Sequence, residues 1–139
     1  MNPVLVINSL ARGGAERSVT NLAIEFVKRG LKVLVISVSG RAPLATELRA
    51  AGVVVETLDH TGPLRNVPTV IRTGIRLRGL IRKHRASLVH SQLYVADVLS
   101  RFFTPAGIPL LTTLRSVEPW WRMASCRTSR MAARYAICG

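Results

Sequence analysis

The sequence predicts an α/β fold, an open parallel sheet doubly wound by helices, and three observations carry that expectation. Short apolar runs, suited to strands covered on both faces, alternate with amphipathic helical stretches along the chain. Glycine or proline punctuates most of the joints between them. No internal repeat, low-complexity tract or linker breaks the order, and a βαβα alternation closes into one sheet through right-handed crossovers.

Val4-Leu5-Val6-Ile7 is a continuous apolar run and predicts the first strand. After Gly13-Gly14, the apolar positions Ala15, Val19, Leu22, Ala23 and Phe26 recur with helical spacing. Lys28-Arg29 place positive charge in the last turn of that helix, and Gly30 supplies a left-handed stop. Val33 to Ile36 is the second strand. Pro43 opens a short helix over Leu44–Ala51 that Gly52 closes, and Val53-Val54-Val55 leads the third strand. A longer basic helix is predicted from Val67 to about Arg85, then a fourth strand at Leu88-Val89-His90. Tyr94–Phe103 reads as the next helix, and Gly107-Ile108-Pro109 turns into a fifth strand, Leu110–Leu114. Trp121 to about Arg134 predicts a last helix of weaker pattern, and Tyr135–Cys138 the opening of a sixth strand. The chain of 139 residues has the size of one domain. Its end on a strand without a closing helix predicts a domain incomplete at its C-terminal end; an edge strand completing the sheet is the alternative.

With 48% apolar and 19% charged residues, the composition excludes a disordered chain. No apolar run approaches the roughly 18 residues of a membrane-spanning helix. Met1-Asn2-Pro3 leads directly into a strand without a basic region, apolar stretch and cleavage site, so a cytoplasmic location is expected. Cys126 and Cys138 belong to no CxxC or Cys/His cluster, and His60, His84 and His90 form no spaced pair; reduced thiols and no metal are expected. The net charge of +13 favours polyanionic partners: nucleic acid, anionic lipid or phosphorylated substrates. Aromatic interleaving, a helix-turn-helix signal and an RNA-stacking motif are all missing, which argues against nucleic acid.

In an open α/β sheet, ligands bind beyond the carboxyl ends of the strands. Asn8-Ser9-Leu10-Ala11-Arg12-Gly13-Gly14 lies there and leads into the first helix. Adjacent glycines let the backbone come close to a ligand, and a helix N-terminus suits a phosphate or a developing oxyanion. The same glycines would serve a plain strand-to-helix turn, and the residues leave both readings open. The loop is neither GxGxxG nor a Walker loop.

The string Val4–Arg17, with Gly13-Gly14-Ala15-Glu16-Arg17 at its end, resembles the start of the family-four glycosyltransferases of GT-B architecture. Pro43–Leu58, Leu88–Leu93 and Gly107–Trp121 resemble later segments of that family in the right order. The resemblance covers nearly the whole chain. It implies that residues 1–139 form the N-terminal, acceptor-side, Rossmann-like domain of a GT-B enzyme, with the donor-binding domain absent. The implied activity is retaining transfer of a hexosyl group from a nucleotide sugar to a glycan or lipid-linked acceptor, in polysaccharide biosynthesis. The nucleotide sugar is a co-substrate; no cofactor and no metal are implied. A non-catalytic remnant, or a split subunit needing a separate donor-binding chain, is the alternative.

Residue by residue, Gly13 and Gly14 match the family's glycine loop, which approaches the donor diphosphate or the transferred sugar, and Glu16 and Arg17 match the motif; the resemblance implies that Arg17 joins the glycines at the substrate site, with Glu16 and Arg17 positioning rather than reacting. Arg115 stands after the fifth strand, where many relatives carry a histidine that contacts the transferred sugar. Arginine stays charged and shuttles no proton at neutral pH, but its planar fork grips a phosphate or carboxylate. The alternative for Arg115 is a solvated loop charge. Gln92 stands where relatives often show a second histidine; His90 is expected to pack at the strand end, and Glu118 to offer an acceptor-side polar contact.

At 100° per residue, Arg65, Arg72, Arg76 and Lys83 fall within roughly 40° of one another on the basic helix. Val67, Val70, Gly74, Leu77 and Ile81 take the opposite arc, expected on the sheet. Arg72, Arg76 and Lys83 would meet anionic headgroups on the inner face of the cell membrane, with Trp120-Trp121 as an interfacial anchor. A solvated basic face is the alternative.

Overall fold

The computed structural model describes residues 1–113. Strands β1 (Pro3–Ile7), β2 (Leu34–Ser37), β3 (Val54–Thr57), β4 (Leu88–Gln92) and β5 (Leu110–Thr113) form one sheet in the order β3-β2-β1-β4-β5. Every pairing is parallel, with Leu5 opposite Val35 on one side and opposite His90 on the other. Helices α1 (Gly14–Lys28) and α2 (Ala45–Ala50) cover one face, and α3 (Val67–Lys83) and α4 (Tyr94–Phe103) the other. The expected doubly wound, Rossmann-like α/β fold is the one observed.

The alternation of side chains along β1 divides the core. Leu5 and Ile7 point to Val19 and Ala23 of α1 and Leu48 of α2. Val4 and Val6 point to Leu77 and Ile81 of α3 and Ala96 and Leu99 of α4. All four β1 side chains are at most 1% exposed, and each contributes about 1.5–3 kcal/mol by burial. A strand hydrophobic at every position is thus explained by its central place in the sheet.

From β1 the chain steps outward through β2 to β3, then returns through α3 to place β4 on the other side of β1. The loops after β1 and β4 therefore leave in opposite directions and open a crevice at the carboxyl end of the sheet. Gly30 and Gly52 end α1 and α2 with φ of +79° and +84°, as the helix stops require.

Two expectations need correction. The helices are shorter than their patterns: α2 ends at Ala50, and α3 at Lys83, with Arg85 at φ +53° turning the chain out of it. Val67, expected on the sheet-facing arc, is 59% exposed, while Thr73 is buried beside Gly74, Leu77 and Ile81. The reason is length: a helix of 17 residues spans about 25 Å and a strand of five about 17 Å, so the first turn of α3 overhangs the sheet. Arg115, Glu118, Trp120-Trp121, Cys126, Cys138, the last expected helix and the sixth strand lie outside the described residues.

Gly74 has a packing role. A Cβ there would overlap the ring of Phe103, which lies flat against α3 through Cδ2, Cε2 and Cζ. The α3–α4 pair packs closely because this position has no side chain.

Candidate functional site

The crevice between β1 and β4 has the start of α1 as one wall. Gly13 is the N-cap, with φ −129° and ψ 173°, and the Arg17 amide donates to the Gly13 carbonyl at 3.0 Å to begin the helix. No side chain caps this end, and a helix cannot satisfy its own first-turn N–H groups. The loop leading to it is held firmly: the Val38 and Ser39 amides donate to the Ile7 and Asn8 carbonyls, and the Leu10 amide to the Arg41 carbonyl.

The two glycines differ in what surrounds them. A Cβ on Gly13 would overlap the Glu16 carboxylate, which lies back over the turn and accepts the Ser9 hydroxyl at 3.3 Å. Around Gly14, among the described residues and apart from its chain neighbours and its own helix backbone, no heavy atom lies within 4 Å of such a Cβ, and its φ is not positive. Neither backbone conformation nor packing demands glycine at 14; the missing side chain leaves the crevice wall open. Bare amides beside one carboxylate offer hydrogen-bond donors and an acceptor together. A bare phosphate at the same place would meet the charge of Glu16.

The opposite wall is the β4–α4 turn. Asn8 Oδ1 accepts the Ala96 amide at 2.7 Å, capping α4 from the end of β1 and tying the two walls together. Leu93, between β4 and α4, has φ +71° and ψ 157°, a region almost reserved for glycine. Such strain, of order 1–3 kcal/mol, persists where surrounding structure enforces it. Here it falls at the point where the strand order reverses.

Below this turn lies a buried polar cluster that sequence reasoning missed. Asp97, 3% exposed, accepts Thr112 Oγ1 at 2.7 Å, Ser91 Oγ at 3.2 Å and Arg101 Nε at 2.9 Å. It joins β4, β5 and α4. The available signal was an acidic residue among Ala96, Leu99 and Ser100 on the buried face of α4, four residues before an arginine. His90, 8% exposed, shares a 2.7 Å hydrogen bond between Nε2 and Thr113 Oγ1, the strand-end packing expected for it. Gln92 is 1% exposed at the end of β4.

Arg17 turns away from the glycine turn. Its Nη1 donates to both Glu47 oxygens, at 2.8 and 2.7 Å, and so links α1 to α2. With Arg12, Pro43 and Thr46 this pair lines an open groove of about 520 Å³. Arg72, Arg76 and Lys83 are exposed on α3, as expected. Among the described residues, no three histidine, cysteine, aspartate or glutamate side chains are grouped to hold a metal ion. No helix among them is long and apolar enough to cross a membrane.

A doubly wound parallel sheet whose first helix begins in a glycine turn at the switch point is a Rossmann-like fold. The chain belongs to Glycosyltransferase Family 4, whose family model matches residues 12–137. No curated protein sequence matches it. Among solved structures it is similar to a glycosyltransferase from Rickettsia africae ESF-5, with 19% identity over 84% of this chain and 30% of that one, at a TM-score of 0.63. It is similar to MurG of Acinetobacter baumannii, with 13% identity over 89% of this chain and 38% of that one, at a TM-score of 0.60. The C-terminal domain of a Pyrococcus furiosus hydrogenase matches too, with 14% identity over 81% of this chain and 90% of that one, at a TM-score of 0.54. At these identities the likeness establishes the fold alone, and the hydrogenase domain illustrates how one fold serves several chemistries. The chain spans about a third of the length of the two transferases.

Proposed function

We propose that residues 1–139 supply the acceptor-side domain of a retaining glycosyltransferase, which moves a hexosyl group from a nucleotide sugar to a glycan or lipid-linked acceptor. The observation that carries this reading is Gly14. Its backbone is one any residue can adopt and no described residue beyond its own helix crowds it, so a glycine there serves the approach of a ligand better than it serves the turn. Gly13, Gly14 and Glu16 line the sugar side of the crevice, and Arg17 acts through Glu47 by fixing α2 against α1. Arg115 is assigned a contact to the transferred sugar or a phosphate and Glu118 an acceptor-side contact, without metal or organic cofactor.

The donor-binding residues are assigned to a second Rossmann-like domain, in keeping with the share of the related transferases that this chain spans. Residues 1–139 alone are therefore expected to transfer no sugar from a nucleotide-sugar donor, and to do so once joined to or mixed with such a domain. Measurable transfer by residues 1–139 alone would overturn the assignment.

The site of action is the cytoplasmic face of a membrane, approached by α3. Exposed Arg72, Arg76 and Lys83 stand beside the exposed apolar side chains Ile71 (47%) and Ile75 (62%), a combination suited to an anionic interface. Flotation on anionic liposomes is expected for the native chain and not for a variant with all three basic residues changed to Glu; equal flotation removes the membrane contact.

A further inference from the structure

A cavity of about 610 Å³ lies beyond the end of β3, between the chain around Leu58–Thr61 and the first half of α3. It shares no lining residue with the glycine turn, and β3 lies two strands, roughly 10 Å, from β1. Arg72, Arg76, Thr61, Thr69, Thr73 and Asp59 supply its polar lining.

These groups divide into those already engaged and those not. Thr73 Oγ1 donates to the Thr69 carbonyl at 2.8 Å and shares a 2.9 Å contact with His60 Nδ1, which fixes the cavity wall. Arg76 reaches the Leu58 carbonyl at 3.5 Å and Asp59 Oδ2 at 3.8 Å, so Asp59 offsets its charge. The Arg72 guanidinium and the Thr61 and Thr69 hydroxyls make no hydrogen bond or ion pair with any other described residue. One uncompensated arginine and two hydroxyl donors thus face one cavity. The first turn of α3 beside them carries no acidic residue.

We infer that this cavity binds a phosphate ester. The planar fork of Arg72 matches two phosphate oxygens, the threonine hydroxyls can donate to the remaining ones, and the volume leaves room for the organic part of the ester. The phosphate belongs either to a soluble ester or to a lipid headgroup, and exposed Ile71, adjacent to Arg72, stands where the apolar part of a lipid would lie. Its role as an anchor for a phosphorylated acceptor rests on the transfer reading above; the binding itself does not.

The test is binding to the purified chain, read without any transfer assay. Glycerol 3-phosphate is titrated while the backbone amide resonances of Thr61, Thr69 and Arg72 are followed, and phosphatidylglycerol vesicles are used in a parallel flotation arm. Saturable shifts with glycerol 3-phosphate, weakened about tenfold by Arg72→Gln, assign the site to a soluble ester. Asp59→Asn, which removes the competing carboxylate, tightens that binding by about threefold. Flotation lost in Arg72→Gln but kept in Arg82→Gln, an exposed α3 change outside the cavity, assigns it to a lipid headgroup. The inference is overturned by no binding in either arm, or by equal losses from Arg72→Gln and Arg82→Gln.

Discussion

Asn8 Oδ1 and the Ala96 amide are joined by a 2.7 Å hydrogen bond between residues 88 positions apart, and this bond spans the crevice from β1 to the start of α4. It satisfies a first-turn N–H group that α4 itself cannot satisfy, as a local cap would. Asn8→Ala is expected to lower unfolding free energy by about 1 kcal/mol. Asn8→Asp, with an acceptor and a negative charge at the helix N-terminus, is expected to hold stability or raise it. Denaturant unfolding of the three proteins checks this, and equal stability of Asn8→Ala and the native chain would contradict it.

Gly74→Ala sets two effects of opposite sign against each other. Helix propensity favours alanine by about 1 kcal/mol. The added methyl meets the Phe103 ring face-on, where overpacking costs about 1–3 kcal/mol, so a net loss is expected. Phe103→Leu in the Gly74→Ala background should recover part of it, since residues in contact couple. A stabilised Gly74→Ala protein would show that Phe103 moves aside freely.

Asp97 is the buried charge on which β4, β5 and α4 converge. Asp97→Ala removes the buried carboxylate to which Arg101, Ser91 and Thr112 donate and is expected to cost about 3 kcal/mol. Asp97→Asn keeps an acceptor oxygen for Thr112 and loses the ion pair, so it should cost about half as much. The exposed pair of Arg17 with Glu47, by contrast, should contribute below about 1 kcal/mol, and Arg17→Ala should barely move the unfolding midpoint. If Arg17→Ala proves as damaging as Asp97→Ala, the ranking by burial is wrong.

What the residues disclosed follows from the range of the forces involved. The first two strands were legible because β1 and β2 are covered on both faces and so are apolar in nearly unbroken runs, and Gly30 and Gly52 marked real left-handed helix ends. The Gly13-Gly14 turn was legible as a place, but not as a choice between a turn and a site; the proposed site draws on the open space around Gly14 among the described residues. Asn8 with Ala96 was invisible because neither residue has a local sign of a partner so far along the chain. The φ of Leu93 was invisible because a leucine carries no mark of a backbone that its neighbours impose. Val67 misled because a helical arc says which way a side chain points, not whether the sheet extends beneath it. The ion pair of Arg17 was not legible either: its motif suggested the crevice, and nothing local marked Glu47, 30 residues on, as its partner.

The central claim is that the crevice wall at Gly14 is left open for a ligand rather than for the fold. It is tested most directly by measuring kcat and Tm together for Gly14→Val in a transferase that carries residues 1–139. The side chain would project into space that no described residue fills, so Tm should move little while turnover falls about a hundredfold, the scale expected when a reacting group is displaced by about 1 Å. A Tm that collapses together with turnover would make Gly14 a structural turn, and unchanged turnover would remove it from the site.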